Sequence, residues 1–241
     1  MATKVFGGMD GVTPNHSRLS RSNIIDSVYA CLKRLQLEYT DILYFHAFDP
    51  ITPVEESLAA IEDLVRRDLI RYFAVSNFTP LQLSMYKAAE EKISVRCRVI
   101  AVQNQFDIIN GERDKHRGTL AYAAETGISY IAWSPLARGL LTDRYLDFEK
   151  VGPGDRLYDE GNESVYRDKA THEKVKKLAS LAKDWGISLN QLALSYMLTL
   201  PGMGPVIPSS STPEQLEINA RAGKIALSES QKGQIKRILE K

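Results

Sequence analysis

A lysine, a histidine, a serine–asparagine pair, a glutamine and two further serines stand at corresponding points of an otherwise repetitive chain: Lys4, His46, Ser76 with Asn77, Gln103, Ser134 and Ser209. Each lies at or near the place where a short apolar run gives way to turn residues. The clearest case is Asp41-Ile42-Leu43-Tyr44-Phe45-His46, which runs into Ala47-Phe48-Asp49-Pro50 and reads as a buried strand ending in a turn. An amine and an imidazole at such positions can hold or move protons, while hydroxyls and carboxamides can hold a polar ligand. Taken singly, each residue has an ordinary reading. Lys4 would be a surface lysine, His46 a hydrogen-bonded core histidine, Ser76-Asn77 and Ser209 to Ser211 turn or cap residues, and Trp133 a core aromatic. Their shared position at the ends of successive strands sets them apart.

The elements that must position them alternate regularly. Strands are predicted over Ala2–Phe6, Asp41–His46, Ile70–Val75, Arg98–Val102, Gly127–Trp133 and Gly204–Ile207. Between them, Ile24, Ile25, Val28, Cys31, Leu32 and Leu35 recur at helical spacing. Three Thr-Pro starts, Thr52-Pro53-Val54-Glu55, Thr79-Pro80-Leu81-Gln82 and Thr212-Pro213-Glu214-Gln215, have the cap, proline and Glu or Gln order of a helix N-terminus. Further helices are predicted over Arg113–Glu125, Thr171–Asp184, Leu189–Leu200 and from Ser228 onward. The polar stretch from about Asp143 to Asp168 interrupts the rhythm and reads as a substrate-facing loop.

Six strand–helix units imply an α/β fold with a parallel sheet and right-handed crossovers. An open doubly wound sheet and a TIM barrel both satisfy this pattern. The polar residues at the carboxyl ends favour the barrel, where those ends converge on one mouth, and no G-x-G-x-x-G follows the first strand. With 241 residues, 31 Lys plus Arg and 30 Asp plus Glu, one sizeable core is expected, and no net field favours nucleic acid or an anionic membrane. The N-terminal residues lack the pattern of a signal peptide and no apolar run is long enough to span a bilayer, so a cytoplasmic protein is expected. Cys31 and Cys97 read as reduced packing residues. His16, His46, His116 and His172 form no ligand set of the His-x-His type, so no metal is expected.

Ala2-Thr3-Lys4, Tyr44-Phe45-His46, Val75-Ser76-Asn77-Phe78, Val102-Gln103-Asn104-Gln105-Phe106, Ala132-Trp133-Ser134-Pro135-Leu136-Ala137-Arg138-Gly139 and Ile207-Pro208-Ser209 through Asn219 together resemble the aldo-keto reductase family, in its order and with similar spacing. The likeness is closest to its microbial and potassium-channel-β-like branches. The resemblance implies a TIM (β/α)8-type barrel that reduces an aldehyde or ketone with NAD(P)H and without metal. It makes Lys4 and His46 members of the catalytic tetrad. It directs Ser76, Asn77 and Gln103 to the nicotinamide carboxamide and Trp133 to the nicotinamide ring. Ser134, Pro135, Leu136 and Arg138 would pass the pyrophosphate, and Ser209, Ser210, Ser211, Gln215 and Asn219 the adenosine end. NADP(H) is favoured over NAD(H), although many relatives carry Lys or Arg where Ser209 and Gln215 stand.

The resemblance also implies an incomplete barrel. The tetrad's Asp and proton-donating Tyr belong to an Asp-…-Tyr-Gly segment that precedes the Lys strand in the family, and this sequence starts at that strand. About six βα units and a single domain over residues 1–241 are therefore expected, with the first two units lacking and with open strand edges that a second copy could cover. Three functions follow: a reductase of small carbonyl compounds, a binding or assembly module that retains part of the dinucleotide site, or a different barrel enzyme using Lys4 as a Schiff-base amine.

Overall fold

The computed structural model describes residues 1–8, 17–93 and 98–240. His16, Cys97 and the turn at Asp10-Gly11 lie outside the described residues. In chain order the regular elements are β1 (Ala2–Val5), α1 (Arg21–Leu35), β2 (Thr40–Phe45), α2 (Val54–Arg66), β3 (Ile70–Ser76), α3 (Pro80–Ile93), β4 (Val99–Asp107), β5 (Gly111–Glu112), α4 (Thr119–Thr126), β6 (Ser129–Trp133), α5 (Arg156–Asp159), α6 (Glu163–Tyr166), α7 (Lys169–Asp184), α8 (Leu189–Met197), β7 (Met203–Ile207), α9 (Pro213–Arg221) and α10 (Glu229–Leu239). The class is α/β, with strands and helices alternating and the six expected strands all present.

The chain divides into two compact units, one of Met1–Asn104 with Asp114–Tyr130, the other of Gln105–Arg113 with Ile131–Lys241. In the first unit β1, β2, β3 and β4 lie side by side and all pairs are parallel. Lys4 is opposite Tyr44, Tyr44 opposite Ala74, and Ser76 opposite Gln103. A register irregularity falls between Phe73 and Val75. Because parallel partners face the same side, this register decides which polar side chains share a face.

The first unit's core is aromatic. Phe45 meets Phe73 edge-on with ring centroids 4.6 Å apart, and Tyr86 of α3 meets Phe78 edge-on at 5.2 Å, the geometry that the ring quadrupoles favour. Leu58, Ile61 and Leu64 of α2 are fully buried, as their helical spacing predicts. Cys31 is buried and free.

Of the three Thr-Pro starts, Thr79 behaves as predicted. Its hydroxyl accepts from Gln82 N–H while the Gln82 side chain accepts from Thr79 N–H. Thr212 likewise accepts from Gln215 N–H. Thr52 differs. Its hydroxyl donates to Asp49 at 2.7 Å, so Pro53 becomes the N-cap and α2 begins one residue later, at Val54.

Two further departures lie in the second unit. The strand predicted to end at Val102 continues to Asp107 and folds back on two-residue β5 as an antiparallel ladder. The buried Asp107 carboxylate secures that turn by accepting from Ile109 N–H and Asn110 N–H. The stretch 143–168 is not a bare loop, since it contains α5, α6 and two single 3₁₀ turns. Tyr145, Leu157 and Tyr166 are buried within it, and the Tyr145 hydroxyl accepts from Leu157 N–H. Scattered apolar side chains pack this segment without any periodicity that a sequence pattern would display.

Glu90 of α3 carries a testable cost. It is buried and accepts from Val99 N–H, and burial pushes its carboxyl up to about 7. The folded state then holds a proton that the unfolded chain releases, so stability falls as pH rises from the ordinary glutamate range through about 7. Glu90→Gln keeps an acceptor for Val99 without the charge. Urea midpoints from pH 4.5 to 8 should show that slope flattened in the variant, with a gain on the order of 1–3 kcal/mol at pH 8. An unchanged slope would contradict the assignment.

Candidate functional site

The carboxyl ends of β1 to β4 gather the first group of expected residues. Lys4 lies near the end of β1, His46 follows β2 directly, Ser76 closes β3 with Asn77 after it, and Gln103 lies in β4. Backbone pairing holds their spacing: His46 N–H donates to Val5 O at 3.0 Å and Asn77 N–H to Gln103 O at 3.1 Å. Side chains cross-link the same points. The Ser76 hydroxyl donates to Gln103 O at 2.8 Å, and Asn77 Nδ2 donates to His46 O at 2.9 Å and to Ser76 Oγ at 3.2 Å. Asn77 sits at φ 61°, a left-handed conformation that asparagine tolerates better than most side chains. The loop after His46 is pinned by buried Asp49, which accepts from Leu19 N–H, Ile51 N–H and the Thr52 hydroxyl.

The electrostatics of this end are set by a partly buried lysine. Among the described residues no carboxylate forms an ion pair with Lys4, and burial lowers its pKa. Its ammonium lies over the Tyr44 ring, 5.2 Å from the centroid, a contact that favours a cation. His46 is open to solvent on one side. Partial burial lowers its pKa, and the Lys4 charge lowers it further. At neutral pH the imidazole is therefore uncharged, with one ring nitrogen to donate and one to accept. Ser76, Asn77 and Gln103 supply both donors and acceptors, which is what a primary carboxamide requires of its partners.

The second unit holds the remaining candidates. Trp133 ends β6, and the Arg113 guanidinium lies over its ring at 5.6 Å. In the segment after it, Ser134, Ala137 and Arg138 all take positive φ (59°, 48° and 60°), a concentration of left-handed backbone in non-glycine residues that is typical of functional turns. Pro135 is buried, Leu136 is half-buried, and Arg138 pairs with Glu160 at 3.0 Å. Gly139 at φ 100° completes the turn, and a Cβ there would stand 3.2 Å from the Tyr145 ring. At α9, Ser211 donates from both N–H and Oγ to the Gln215 side chain. Buried Asn219 accepts from Asn190 at 2.7 Å and donates to Ser210 Oγ at 3.1 Å, while Ser209 is exposed.

Sequence reasoning missed three participants. Tyr44 was legible, because it lies two residues before His46 on a strand and so shares its face. Arg113 and Glu160 were not, since each acts on a residue far from it in sequence. Among the described residues no group of three or more His, Cys, Asp or Glu side chains is placed to hold a metal ion, and no helix is long and apolar enough to cross a membrane.

A parallel α/β sheet that presents an amine, an imidazole, a hydroxyl and carboxamides toward its strands' carboxyl ends places them where α/β folds bind their ligands. The chain belongs to the aldo/keto reductase family, whose model matches residues 1–240. It is 32% identical over 200 residues to aldo-keto reductase AFTS1 of Alternaria alternata, covering 82% of this chain and 52% of that protein. It is 28% identical over 228 residues to a probable voltage-gated potassium channel subunit beta of Arabidopsis thaliana, covering 92% and 67% respectively. To the L-glyceraldehyde 3-phosphate reductase of Escherichia coli (strain K12) it is 31% identical over 214 residues, covering 87% and 60%. The chain thus spans about half to two-thirds of the length of these relatives. The membership accords with the TIM-type reading of the alternating strands and helices.

The coupling of Lys4 to His46 can be measured directly. In an NMR titration the His46 ring should ionise below the ordinary histidine value of about 6.5. Lys4→Met should move its midpoint upward without restoring it fully, since burial remains. A midpoint at or above 6.5, or one indifferent to Lys4, would contradict this account.

Proposed function

We propose that this chain is an NAD(P)H-dependent oxidoreductase that reduces an aldehyde or ketone to the alcohol. The observation that carries the reading is the assembly of Lys4, His46, Ser76 and Asn77 at the carboxyl ends of β1 to β3, with Gln103 of β4 opposite Ser76, positions to which the resemblance to the family gives catalysis and nicotinamide recognition. Neutral His46 would orient the substrate carbonyl with its N–H, and Lys4 would bias the local proton equilibria through its charge. Ser76, Asn77 and Gln103 would hold the nicotinamide carboxamide. A bound reduced nicotinamide nucleotide would supply the hydride. In the second unit, Trp133 would meet the nicotinamide ring, Ser134, Pro135, Leu136 and Arg138 the pyrophosphate, and Ser209, Ser210, Ser211, Gln215 and Asn219 the adenosine end. NADP(H) is the nucleotide we favour, on the hydroxyls of Ser209 to Ser211 ahead of α9 and the positive dipole end of that helix. The substrate we favour is a small carbonyl compound, in keeping with the names aldo-keto reductase and L-glyceraldehyde 3-phosphate reductase carried by two of the relatives.

One observation favours a second reading. Among the described residues no carboxylate pairs with Lys4, whose pKa burial lowers, so the Asp partner that the family resemblance leads one to expect is not seen beside it. A chain without a general acid forgoes a factor of typically ~10²–10⁴ in rate. Such a protein would bind nucleotide and serve as a binding or assembly module without turnover.

Fluorescence titration with NADPH and NADH, followed by a carbonyl screen, separates these readings. Saturable binding with NADPH preferred, and turnover lost at least ~10²-fold in His46→Ala with binding retained, is the expected result. Trp133→Ala should weaken binding. Binding without turnover would select the module, and a folded chain that binds neither nucleotide would overturn both readings.

A further inference from the structure

Beside Trp133 stands a cation that the proposed chemistry leaves without a task. Arg113 is exposed, yet its guanidinium is held in one place, over the Trp133 ring and 5.6 Å from its centroid. The chain carries it there on a secured turn. β4 runs on past Gln103 to Asp107, whose buried carboxylate accepts from Ile109 N–H and Asn110 N–H, and two-residue β5 returns along Phe106 and Asp107. Arg113 is the next residue, and a single 3₁₀ turn, Asp114–His116, follows it at once. Trp133 ends β6, so the pair stands at a strand's carboxyl end. The guanidinium lacks an anion. Among the described residues no carboxylate forms an ion pair with it: Asp107 is engaged in its own turn, and Asp114 pairs with Arg117 at 2.6 Å. Arg138, five residues beyond Trp133, is by contrast paired with Glu160. A guanidinium over a ring places its charge on the π-face and keeps its fork of N–H donors for a carboxylate or phosphate.

We propose that Arg113 is a specificity-determining residue, its guanidinium recognising a carboxylate or phosphate group carried by the carbonyl substrate. The inference rests on the cofactor reading given above, in which Trp133 meets the nicotinamide ring. Hydride passes between atoms about 3–3.5 Å apart. A carbonyl reduced by a nicotinamide on Trp133 therefore lies within a small molecule's length of the cation over that same ring. A guanidinium there gains little from an uncharged aldehyde and pairs with a charged substituent, which makes the substrate's anionic group the feature selected. The nucleotide's pyrophosphate offers the same chemistry, but a ribose separates it from the nicotinamide, whereas Arg113 bears on the Trp133 ring itself.

The test is calorimetric binding to the whole chain, unsubstituted and as Arg113→Gln and Arg113→Lys, with a thermal melt of each. NADPH is titrated first. The NADPH-saturated protein is then titrated with benzoate, with phenyl phosphate and with uncharged benzamide, none of which can be reduced under these conditions, so the result does not depend on turnover. At least one of the two anions should bind about tenfold more tightly than benzamide, the worth of a charge-assisted hydrogen bond. Arg113→Gln should abolish that preference and leave NADPH affinity unchanged. Arg113→Lys, which keeps the charge without the fork, should retain part of it. An unsubstituted chain that binds NADPH and prefers neither anion would overturn the role of Arg113 while leaving the cofactor reading intact. Weaker NADPH binding in Arg113→Gln would assign the cation to the nucleotide, and equal losses for the anions and benzamide would assign it to packing; either would overturn the inference. Failure of the unsubstituted chain to bind NADPH would overturn the cofactor reading and this inference with it.

Discussion

Parallel pairing in fixed register is the constraint on which the first unit's chemistry depends. Side chains alternate between the two faces of a strand, so a slip of one residue in any pair would send Lys4, Tyr44 or Gln103 to the opposite face. The register is specified from several directions. Aromatic packing between Phe45 and Phe73 locks β2 to β3, and Ser76 and Asn77 lock the end of β3 to β4 by accounting twice for the Gln103 carbonyl. The irregularity between Phe73 and Val75 falls at the small, buried Ala74. A bulge of this kind re-aims side chains near sites, and here Ser76 faces Gln103 directly beyond it.

Two potential cations share this end, and among the described residues no carboxylate pairs with the first of them. That arrangement lowers the pKa of both, through burial in each case and for His46 through the charge of its neighbour as well. The consequence is a local positive field acting on a neutral imidazole, which suits the polarisation of a carbonyl oxygen better than it suits the binding of a cation. Asp49, three residues beyond His46 in sequence, has its carboxylate engaged elsewhere. Burial would raise its pKa, yet the hydrogen bonds from Leu19, Ile51 and Thr52 outweigh this and hold it ionised. It therefore anchors the loop that follows His46.

Much of this was legible in the sequence, and the misses share a cause. The six strands and the long helices follow from apolar periodicity and Thr-Pro starts, which are local. His46, Ser76 with Asn77, and Gln103 were legible because a polar residue at the end of an apolar run contradicts its surroundings. The start of α2 shifted because Asp49, three residues upstream, competes for the Thr52 hydroxyl, and a capping motif cannot reveal such competition. β5 is two residues long and exists through the Asp107 turn, below any periodicity. Residues 143–168 looked like a loop because Tyr145, Leu157 and Tyr166 pack through tertiary contacts with no fixed spacing. The roles assigned to Lys4 and to Ser209 through Asn219 were not readable from local pattern at all. They came from family resemblance, since a lysine near a strand end and serines before a helix are common in ordinary proteins.

The backbone of the segment following Trp133 restricts which residues it can hold. Three non-glycine residues at positive φ each cost free energy on the order of 1 kcal/mol or more, and such a turn persists only where its surroundings hold it. Here Ala137 N–H donates to Ser134 O, while Gly139 N–H and Leu141 N–H both donate to Leu136 O, so the turn closes on its own backbone. Gly139 admits the close approach of the Tyr145 ring, which in turn packs on Tyr166 at 5.6 Å. Arg138 extends from the same turn to Glu160, which Arg156 also engages. The turn and the 143–168 segment are therefore one packed body. A substitution within that segment can alter the Arg138 turn without touching it, because the ring of Tyr145 and the carboxylate of Glu160 both bear on the same six residues.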